Sequence, residues 1–275
     1  MDKIAAFFGD HAHLAGQLLA ALGAEGDDGS HDRSHLLRVW RNATSIADQV
    51  PGCDRAVLTA AVILHDCVAV EKNSPQRSRA SRLAATHART ILSALGWNAA
   101  AIEQAAHAIE AHSFSAGIAP ETVEAQILQD ADRLDAIGAI GIARCFYVAG
   151  RMGSSLYDPE DPSASNRVLD DRTFALDHFG AKLFKVAENF QTKAGQALAK
   201  ARTQTMLGFV QALLDEISGN SRCFEPRSSD WAAGAKTSST AYAVATRSSS
   251  RPRIPAPKRP PPDSVPRPGC GGSIR

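Results

Sequence analysis

The chain has 275 residues, of which 44% are hydrophobic and 21% are charged, the balance of a globular protein with a sizeable core. Its formal net charge of +1 gives no general attraction to a membrane or to nucleic acid, so neither is expected as a partner. The five cysteines lie far apart, no signal sequence is recognised, and no apolar run approaches about 18 residues. These features predict a cytoplasmic protein without disulfides.

Helical periodicity dominates the first 217 residues, and no convincing alternating strand pattern interrupts it. The pattern predicts an all-α fold. The predicted helices, in chain order, cover 3–22, 34–49, 54–66, 78–95, 98–111, 121–133, 136–149, 172–190 and 193–217, with a long polar loop over 150–171. Residues 54–66 are apolar nearly all round, which is typical of a buried central helix.

The composition changes beyond Gly219. Nine of the fourteen prolines lie there, and residues 219–275 carry 10 Lys/Arg against 3 Asp/Glu, whereas the rest of the chain carries 20 against 26. Such a segment cannot bury enough apolar surface to become ordered. We therefore predict a folded domain over 1–218 and a disordered Pro/Ser/Arg-rich tail over 219–275, with a nucleic-acid-binding arm as the less favoured interpretation of the tail.

A titratable pair, His65-Asp66, ends the most apolar of the predicted helices. A buried ionised carboxylate without partners costs several kcal/mol, so such groups are paired or bind a metal. Neighbouring helix residues point about 100° apart, which lets an imidazole and a carboxylate reach one cation from adjoining directions. His35 and Asp132 offer two more ligands in apolar helical settings. The ordered set of four residues indicates a divalent-metal site.

The residues around these four positions are similar to those of a known family. SHLLRV surrounds His35, ILHD contains His65 and Asp66, and DADRLD surrounds Asp132. The sequence resembles the HD-domain metal-dependent phosphohydrolases, named for a His…His-Asp…Asp ligand set on a helical bundle. The resemblance covers about residues 1–217 and implies an HD-domain helical bundle in which these four residues hold the metal.

Longer segments resemble one bacterial branch of that superfamily, which contains small cytoplasmic predicted hydrolases and some nucleotide pyrophosphohydrolases. They include IEAHSFSAGIAPETVEAQILQDADRLDAIGAIGIAR and LDHFGAKLF. One departure is that Cys67 and Val68 follow the His-Asp pair, where many members have an aliphatic residue and glycine. Cys67 is interpreted as a small core residue and not as a thiolate ligand.

Several polar residues are candidates for supporting roles. His31 and Asp32, one turn before the first predicted ligand, are expected either to contact substrate or the metal water, or to cap the helix. Asp130 and Asp135 are candidates to hold a ligating imidazole by a hydrogen bond, and Asp135 alternatively pairs with a surface arginine. A general acid or base is predicted at Asp130 or His112.

Basic residues after the His-Asp pair are the phosphate-binding candidates, because Lys and Arg are usual partners of phosphate oxygens. Lys72 and Arg79 are predicted for this role, the alternative being a solvated charged face. No Walker pattern or dinucleotide fingerprint occurs. His87 and His112 fall roughly where some superfamily members carry ligands for a second metal. We favour one metal, with His87 then a surface-helix residue.

A mixed His/Asp site leaves coordination positions for water and for substrate oxygens. The predicted reaction is hydrolysis of a phosphoanhydride or phosphoester by a metal-activated water. The resemblance implies a nucleoside triphosphate cleaved to monophosphate and pyrophosphate. The alternatives are a phosphomonoesterase, a cyclic-nucleotide phosphodiesterase, or a non-catalytic metal-bound nucleotide sensor. The expected cofactor is Mn²⁺ or Mg²⁺, and such a donor set also accepts Fe, Co, Ni and Zn.

Overall fold

The computed structural model describes residues 3–22, 33–68, 79–113 and 116–220, and within these ranges the chain is all helix, turn and loop apart from one isolated β-bridge, Ser155 to Phe174. The all-α prediction is confirmed for this part of the chain. The helices are a 3-10 helix (Ala5–His11), α1 (Ala12–Leu22), α2 (Arg33–Ala47), α3 (Arg55–Leu64), α4 (Ala80–Ala94), α5 (Ala99–His112), α6 (Val123–Asp135), α7 (Gly138–Met152), a π-helix (Phe179–Leu183), α8 (Phe184–Val186) and α9 (Lys193–Ile217).

Side-chain caps fix where most of the predicted helices begin. Asp54 accepts hydrogen bonds from two backbone N–H groups in the first turn of α3. Asn98, Thr122 and Thr192 each accept one such bond at the starts of α5, α6 and α9. Gly153 ends α7 with a left-handed φ of 75°, the conformation that glycine adopts without steric cost.

Two predicted helices differ from the observed ones. The predicted helix 3–22 is a 3-10 helix followed by α1, and Gly9, with φ of 57° and ψ of −125°, kinks the 3-10 helix. The predicted helix 172–190 is helical only over 179–186. Asp170 and Asp177 explain the second difference, because their carboxylates accept backbone N–H bonds that hold the preceding segment in turns.

Helix α3 is the centre of the core. All of its residues from Val57 to Leu64 are buried, and it packs against α1, α2, α5 and α6. Burying each large aliphatic side chain contributes about 1.5–3 kcal/mol. The end of α3 is thereby fixed among the surrounding helices, which is where the His-Asp pair lies.

Polar contacts join α2, α6 and α9 beside this core. Asn42 of α2 donates to the carbonyl oxygen of Ala131 in α6 at 3.0 Å. Arg202 of α9 donates to the Asn42 side-chain oxygen at 2.7 Å and to the carbonyl of Leu134. These bonds fix α2 against the last turns of α6, the two segments that carry His35 and Asp132.

The residues from 3 to 220 that the structure describes lie in one compact unit, Met1–Arg222. Among them, no helix combines the length and apolar character that crossing a membrane requires. Nearly all of the predicted disordered tail, from residue 221 onward, lies outside the described residues, so the division at 218 stays a prediction.

Candidate metal centre

His65 directly follows α3, and its side chain is only 3% exposed. Its Nδ1 lies 2.8 Å from the carbonyl oxygen of Val62. A carbonyl can only accept, so Nδ1 carries the proton and Nε2 keeps a lone pair. Burial lowers the pKa of His65, which favours this neutral ring. Nε2 is buried and has no hydrogen-bond partner among the described residues. A buried polar atom without a partner requires an explanation, and a role as a metal ligand supplies one.

His112 repeats this arrangement at the last residue of α5. Its Nδ1 donates to the carbonyl oxygen of Ile109 at 2.6 Å, which again leaves the lone pair on Nε2. That Nε2 lies 3.7 Å from Oδ1 of Asp66. The rings of His112 and His65 meet edge to face, with centroids 5.0 Å apart. Two buried histidines from two helices therefore present the same ring nitrogen to one place.

His35, in the first turn of α2, is the third histidine of the group. Its Nδ1 lies 2.8 Å from Oδ2 of Asp135. Its Nε2 lies 3.5 Å from Oδ1 of Asp132 and 4.0 Å from Oδ2 of Asp66. The Asp66 carboxylate is also 3.6 Å from Nε2 of His65, so it lies among all three imidazoles.

These donors form two overlapping sets that share His65. The first set is His35, His65 and Asp132, and the second is His65, Asp66 and His112; the donor atoms in each lie within 4.8 Å of one another. Ligand bonds of about 2.0–2.2 Å place donors around one ion at similar separations. Neutral imidazole nitrogens and carboxylate oxygens suit a divalent transition metal, so the residues present fit such an ion.

The mouth of the site is polar and open. The Asp66 side chain is 59% exposed, whereas His65 and His112 are buried beneath it. Burial opposes a charge on His35, but the hydrogen bond to Asp135 and the nearby carboxylates raise the pKa of that ring. The carboxylates of the site therefore stabilise a positive charge placed among them. Among the described donor residues, Asp66 is the most exposed, so its side of the site is open to a ligand from solvent.

Asp130 requires a correction. It was predicted to support the metal ligands or to act as a general acid or base. Its carboxylate instead accepts hydrogen bonds of 2.8 Å from the backbone N–H groups of Gln191 and Thr192 and from the Thr192 hydroxyl. Residues two apart on a helix point about 200° apart, which explains why Asp130 faces α9 while Asp132 faces the site. Asp130 thus holds the start of α9.

The other candidates are placed as follows. His87 is exposed on α4 and belongs to neither donor set, which fits a surface residue. Arg79 is exposed at the residue preceding α4. Burial raises the pKa of the Cys67 thiol to about 12, so it is not a thiolate. His31, Asp32 and Lys72 lie outside the described residues.

Both alternatives for Asp135 occur together. Its carboxylate accepts from His35 and also lies 3.3 Å from the guanidinium of Arg144. Arg38 is the partner that sequence analysis missed, and it donates to the two oxygens of Asp135 at 2.6 and 3.0 Å. The available signal was spacing, because Arg38 follows His35 by three residues and so shares its helix face.

Comparison with known proteins identifies the family of the chain. The HD domain family matches residues 33–137, a span that contains all four predicted ligands. The chain is also 30% identical over 197 residues to the uncharacterized protein YpgQ of Bacillus subtilis (strain 168), over 70% of this chain and 87% of that protein. The chain belongs to the HD-domain family, a class of all-α proteins that bind divalent metal ions, and the predicted family is confirmed.

Two solved structures share the fold. An HD-superfamily hydrolase from Bacillus thuringiensis has a TM-score of 0.58 and 29% identity, over 74% of this chain and 96% of that one. Bacillus subtilis YpgQ in complex with ADP has a TM-score of 0.55 and 27% identity, over 78% of this chain and 96% of that one. The chain is thus similar to HD-superfamily hydrolases along nearly their whole length.

Proposed function

We propose that this protein hydrolyses nucleoside triphosphates to monophosphate and pyrophosphate, with His35, His65, Asp66 and Asp132 as the ligands of one divalent ion. The observation that carries the proposal is the convergence of imidazole Nε2 atoms and two carboxylates at one open-mouthed site, inside an HD domain. The ADP complex of YpgQ supports a nucleotide as the substrate class. Mn²⁺ or Mg²⁺ is the ion we expect in working protein.

The burial of His65 and His112 and the exposure of Asp66 suit the site to a phosphorylated ligand. The chemistry supplied by a bound divalent cation is acidification of a water molecule and neutralisation of phosphoryl charge. The buried rings of His65 and His112 close the floor of the site to solvent. The exposed Asp66 leaves the mouth open to a substrate that carries several phosphates.

His112 is the residue that we propose for proton transfer. Its Nδ1–H is engaged by the Ile109 carbonyl, so only Nε2 is available to take up a proton. That atom lies beside the Asp66 carboxylate, at the floor of the open site. A second-metal role would require a further ligand such as His87, which is exposed and outside both donor sets. We therefore favour one ion.

The test is a product analysis with the full chain. The protein is loaded in turn with Mn²⁺, Mg²⁺, Co²⁺, Ni²⁺ and Zn²⁺ and incubated with a panel of nucleoside triphosphates, monophosphates and cyclic nucleotides. Pyrophosphate and monophosphate in equal amounts are the expected products. Free phosphate would identify a phosphomonoesterase, ring opening a cyclic-nucleotide phosphodiesterase, and binding without product a nucleotide sensor. Any of these three results overturns the proposal.

A further inference from the structure

We infer that Asp135, anchored by Arg38, is the positioning residue that sets the orientation of His35, an inference that rests on the proposed metal site. Neither residue is among the four family ligands, and neither is proposed to touch the ion. Their effect is exerted through the ring of His35. The inference names a second part of the metal centre, built from α2 and the end of α6.

The contacts of Asp135 fix one nitrogen of His35. The Asp135 side chain is 1% exposed, and its Oδ2 lies 2.8 Å from Nδ1 of His35. An ionised carboxylate can only accept a hydrogen bond, so Nδ1 is the protonated nitrogen. The lone pair is then on Nε2, which faces Asp132 at 3.5 Å and Asp66 at 4.0 Å. Asp135 thereby directs the metal-binding nitrogen toward the other ligands.

The other two histidines explain why His35 needs this partner. His65 and His112 each donate Nδ1–H to the carbonyl three residues earlier, in the last turn of their own helices. His35 is the third residue of α2, and its Nδ1 faces a carboxylate from α6 instead of a carbonyl of its own helix. All three rings therefore present Nε2, two through local helix geometry and one through a contact between helices.

Arg38 offsets the free-energy cost of burying the ionised carboxylate of Asp135. A buried ionised carboxylate is costly unless charged partners satisfy it. Arg38 satisfies both oxygens of Asp135 at once, at 2.6 and 3.0 Å, in the forked geometry that guanidinium and carboxylate share. The Arg38 guanidinium also donates to the Ser34 hydroxyl at 2.7 Å, which holds it against the start of α2. One turn of α2 thus supplies both the ligand and the anchor for its partner.

The experiment measures Mn²⁺ affinity alone, with the full chain, by following free Mn²⁺ in electron paramagnetic resonance titrations. Asp135→Ala is expected to weaken Mn²⁺ binding about 10–100-fold, the usual effect of losing such a partner. Asp135→Asn keeps an acceptor oxygen for Nδ1–H and should lie between Asp135→Ala and wild type. Arg38→Ala should also weaken Mn²⁺ binding, because Asp135 then loses the two guanidinium hydrogen bonds that hold its carboxylate in place.

Asp177 provides the matched control. It is another carboxylate with 1% exposure, and it pairs with Arg167 through bonds of 2.5 and 3.0 Å in the loop before α8. Asp177→Ala should lower the melting temperature much as Asp135→Ala does, yet leave Mn²⁺ affinity unchanged. This comparison separates positioning of His35 from a general loss of stability.

The outcomes are distinct. Wild-type Mn²⁺ affinity in Asp135→Ala, or an equal loss of affinity in Asp177→Ala, overturns the inference and leaves the proposed function intact. No Mn²⁺ binding by the wild-type chain overturns the proposed metal centre as well. If Asp135→Ala does not fold, Arg38→Ala decides the question, because the Arg38 side chain is 26% exposed and less critical to packing. Unchanged affinity in that variant overturns the inference.

Discussion

Helix α6 buries two carboxylates in its C-terminal half, and each holds a different segment of the chain. Asp130 accepts from backbone N–H groups and a hydroxyl at the start of α9. Asp135, five residues later, accepts from the ring of His35 and the fork of Arg38. Both are fully buried. Burial alone therefore does not identify a functional carboxylate. The charge of its hydrogen-bond partners, and the helix that supplies them, are the better indicators.

The charges of the partners account for the different behaviour of the two acids. Burial raises the pKa of Asp130, because its partners are neutral hydrogen-bond donors that only partly offset the loss of solvent. Burial also opposes ionisation at Asp135, but the hydrogen bonds from His35 and Arg38 hold the pKa of that carboxyl below its usual range. The carboxylate of Asp135, beside the site, is thus held in its ionised form more strongly than that of Asp130.

The largest effect should come from the exposed carboxylate of the site. Asp66→Ala is expected to abolish metal-dependent hydrolysis, because it removes the ligand that lies among all three imidazoles. Stability should change by less than about 0.5 kcal/mol, as at other exposed positions. Hydrolysis assays with Mn²⁺ and urea unfolding measure both. Asp48→Ala, at an exposed carboxylate paired with Arg55, is the matched control and should retain full activity.

Asp66 leaves the mechanism if the Asp66→Ala variant turns over at the wild-type rate. Loss of activity in Asp48→Ala would show instead that any change of surface charge impairs the protein. Either result would weaken the distinction between carboxylates at the site and elsewhere.

Asp130→Ala should show the opposite pattern. It leaves two backbone N–H groups and the Thr192 hydroxyl without their acceptor in a buried place, at a cost of about 1–3 kcal/mol for each unsatisfied group before relaxation. Urea unfolding should show a loss of about 2–5 kcal/mol. Mn²⁺ affinity of the folded fraction should not change. A loss of Mn²⁺ affinity in protein that is still folded would return Asp130 to the metal centre.

A smaller effect tests how closely α9 approaches Asp130. A Cβ added at Gly195 would lie 2.3 Å from Oδ2 of Asp130, so Gly195→Ala should destabilise the protein by about 1–3 kcal/mol. Gly208, on the same helix, has no atom within 4 Å of an added Cβ. Gly208→Ala should therefore stabilise the protein by about 0.4–1 kcal/mol. Thermal unfolding of the two variants gives opposite signs if α9 packs on Asp130 as described.

The smallest effect is expected from the end of the chain. Every residue that contacts Asp130 or Asp135 in the described structure precedes residue 220. Deleting residues 220–275 should therefore leave turnover and Mn²⁺ affinity unchanged. A collapse of turnover in the shortened chain would show that the predicted domain boundary is wrong.

Sequence periodicity predicted most of the helices because apolar spacing and caps act locally. It failed at 172–190, where hydrogen bonds to Asp170 and Asp177 override helical spacing. Asp130 became a candidate for the metal centre because it lies in a cluster of acidic residues, and such a cluster does not show which helix each side chain faces. Proximity of His35 to Asp132 is now a structural observation, while metal binding itself stays a prediction.

Arg38 was missed for a related reason. An arginine three residues after a ligand has the pattern of an ordinary solvated helix face, and its partner is 97 residues away in the chain. Contacts between residues so far apart in the sequence depend on how α2 and α6 pack, and the spacing of residues within one helix does not predict that packing.

The ends of three helices have a consequence for binding order. The chain of α3 stops just before His65, α5 stops at His112, and α6 stops three residues after Asp132. The C-terminal end of each helix carries roughly half an elementary negative charge from its aligned peptide dipoles. The partial negative charges of these helix ends therefore act in the same direction as the carboxylates. Both attract a cation and repel a polyphosphate. For the proposed reaction we therefore expect ordered loading, in which the ion binds before the nucleotide.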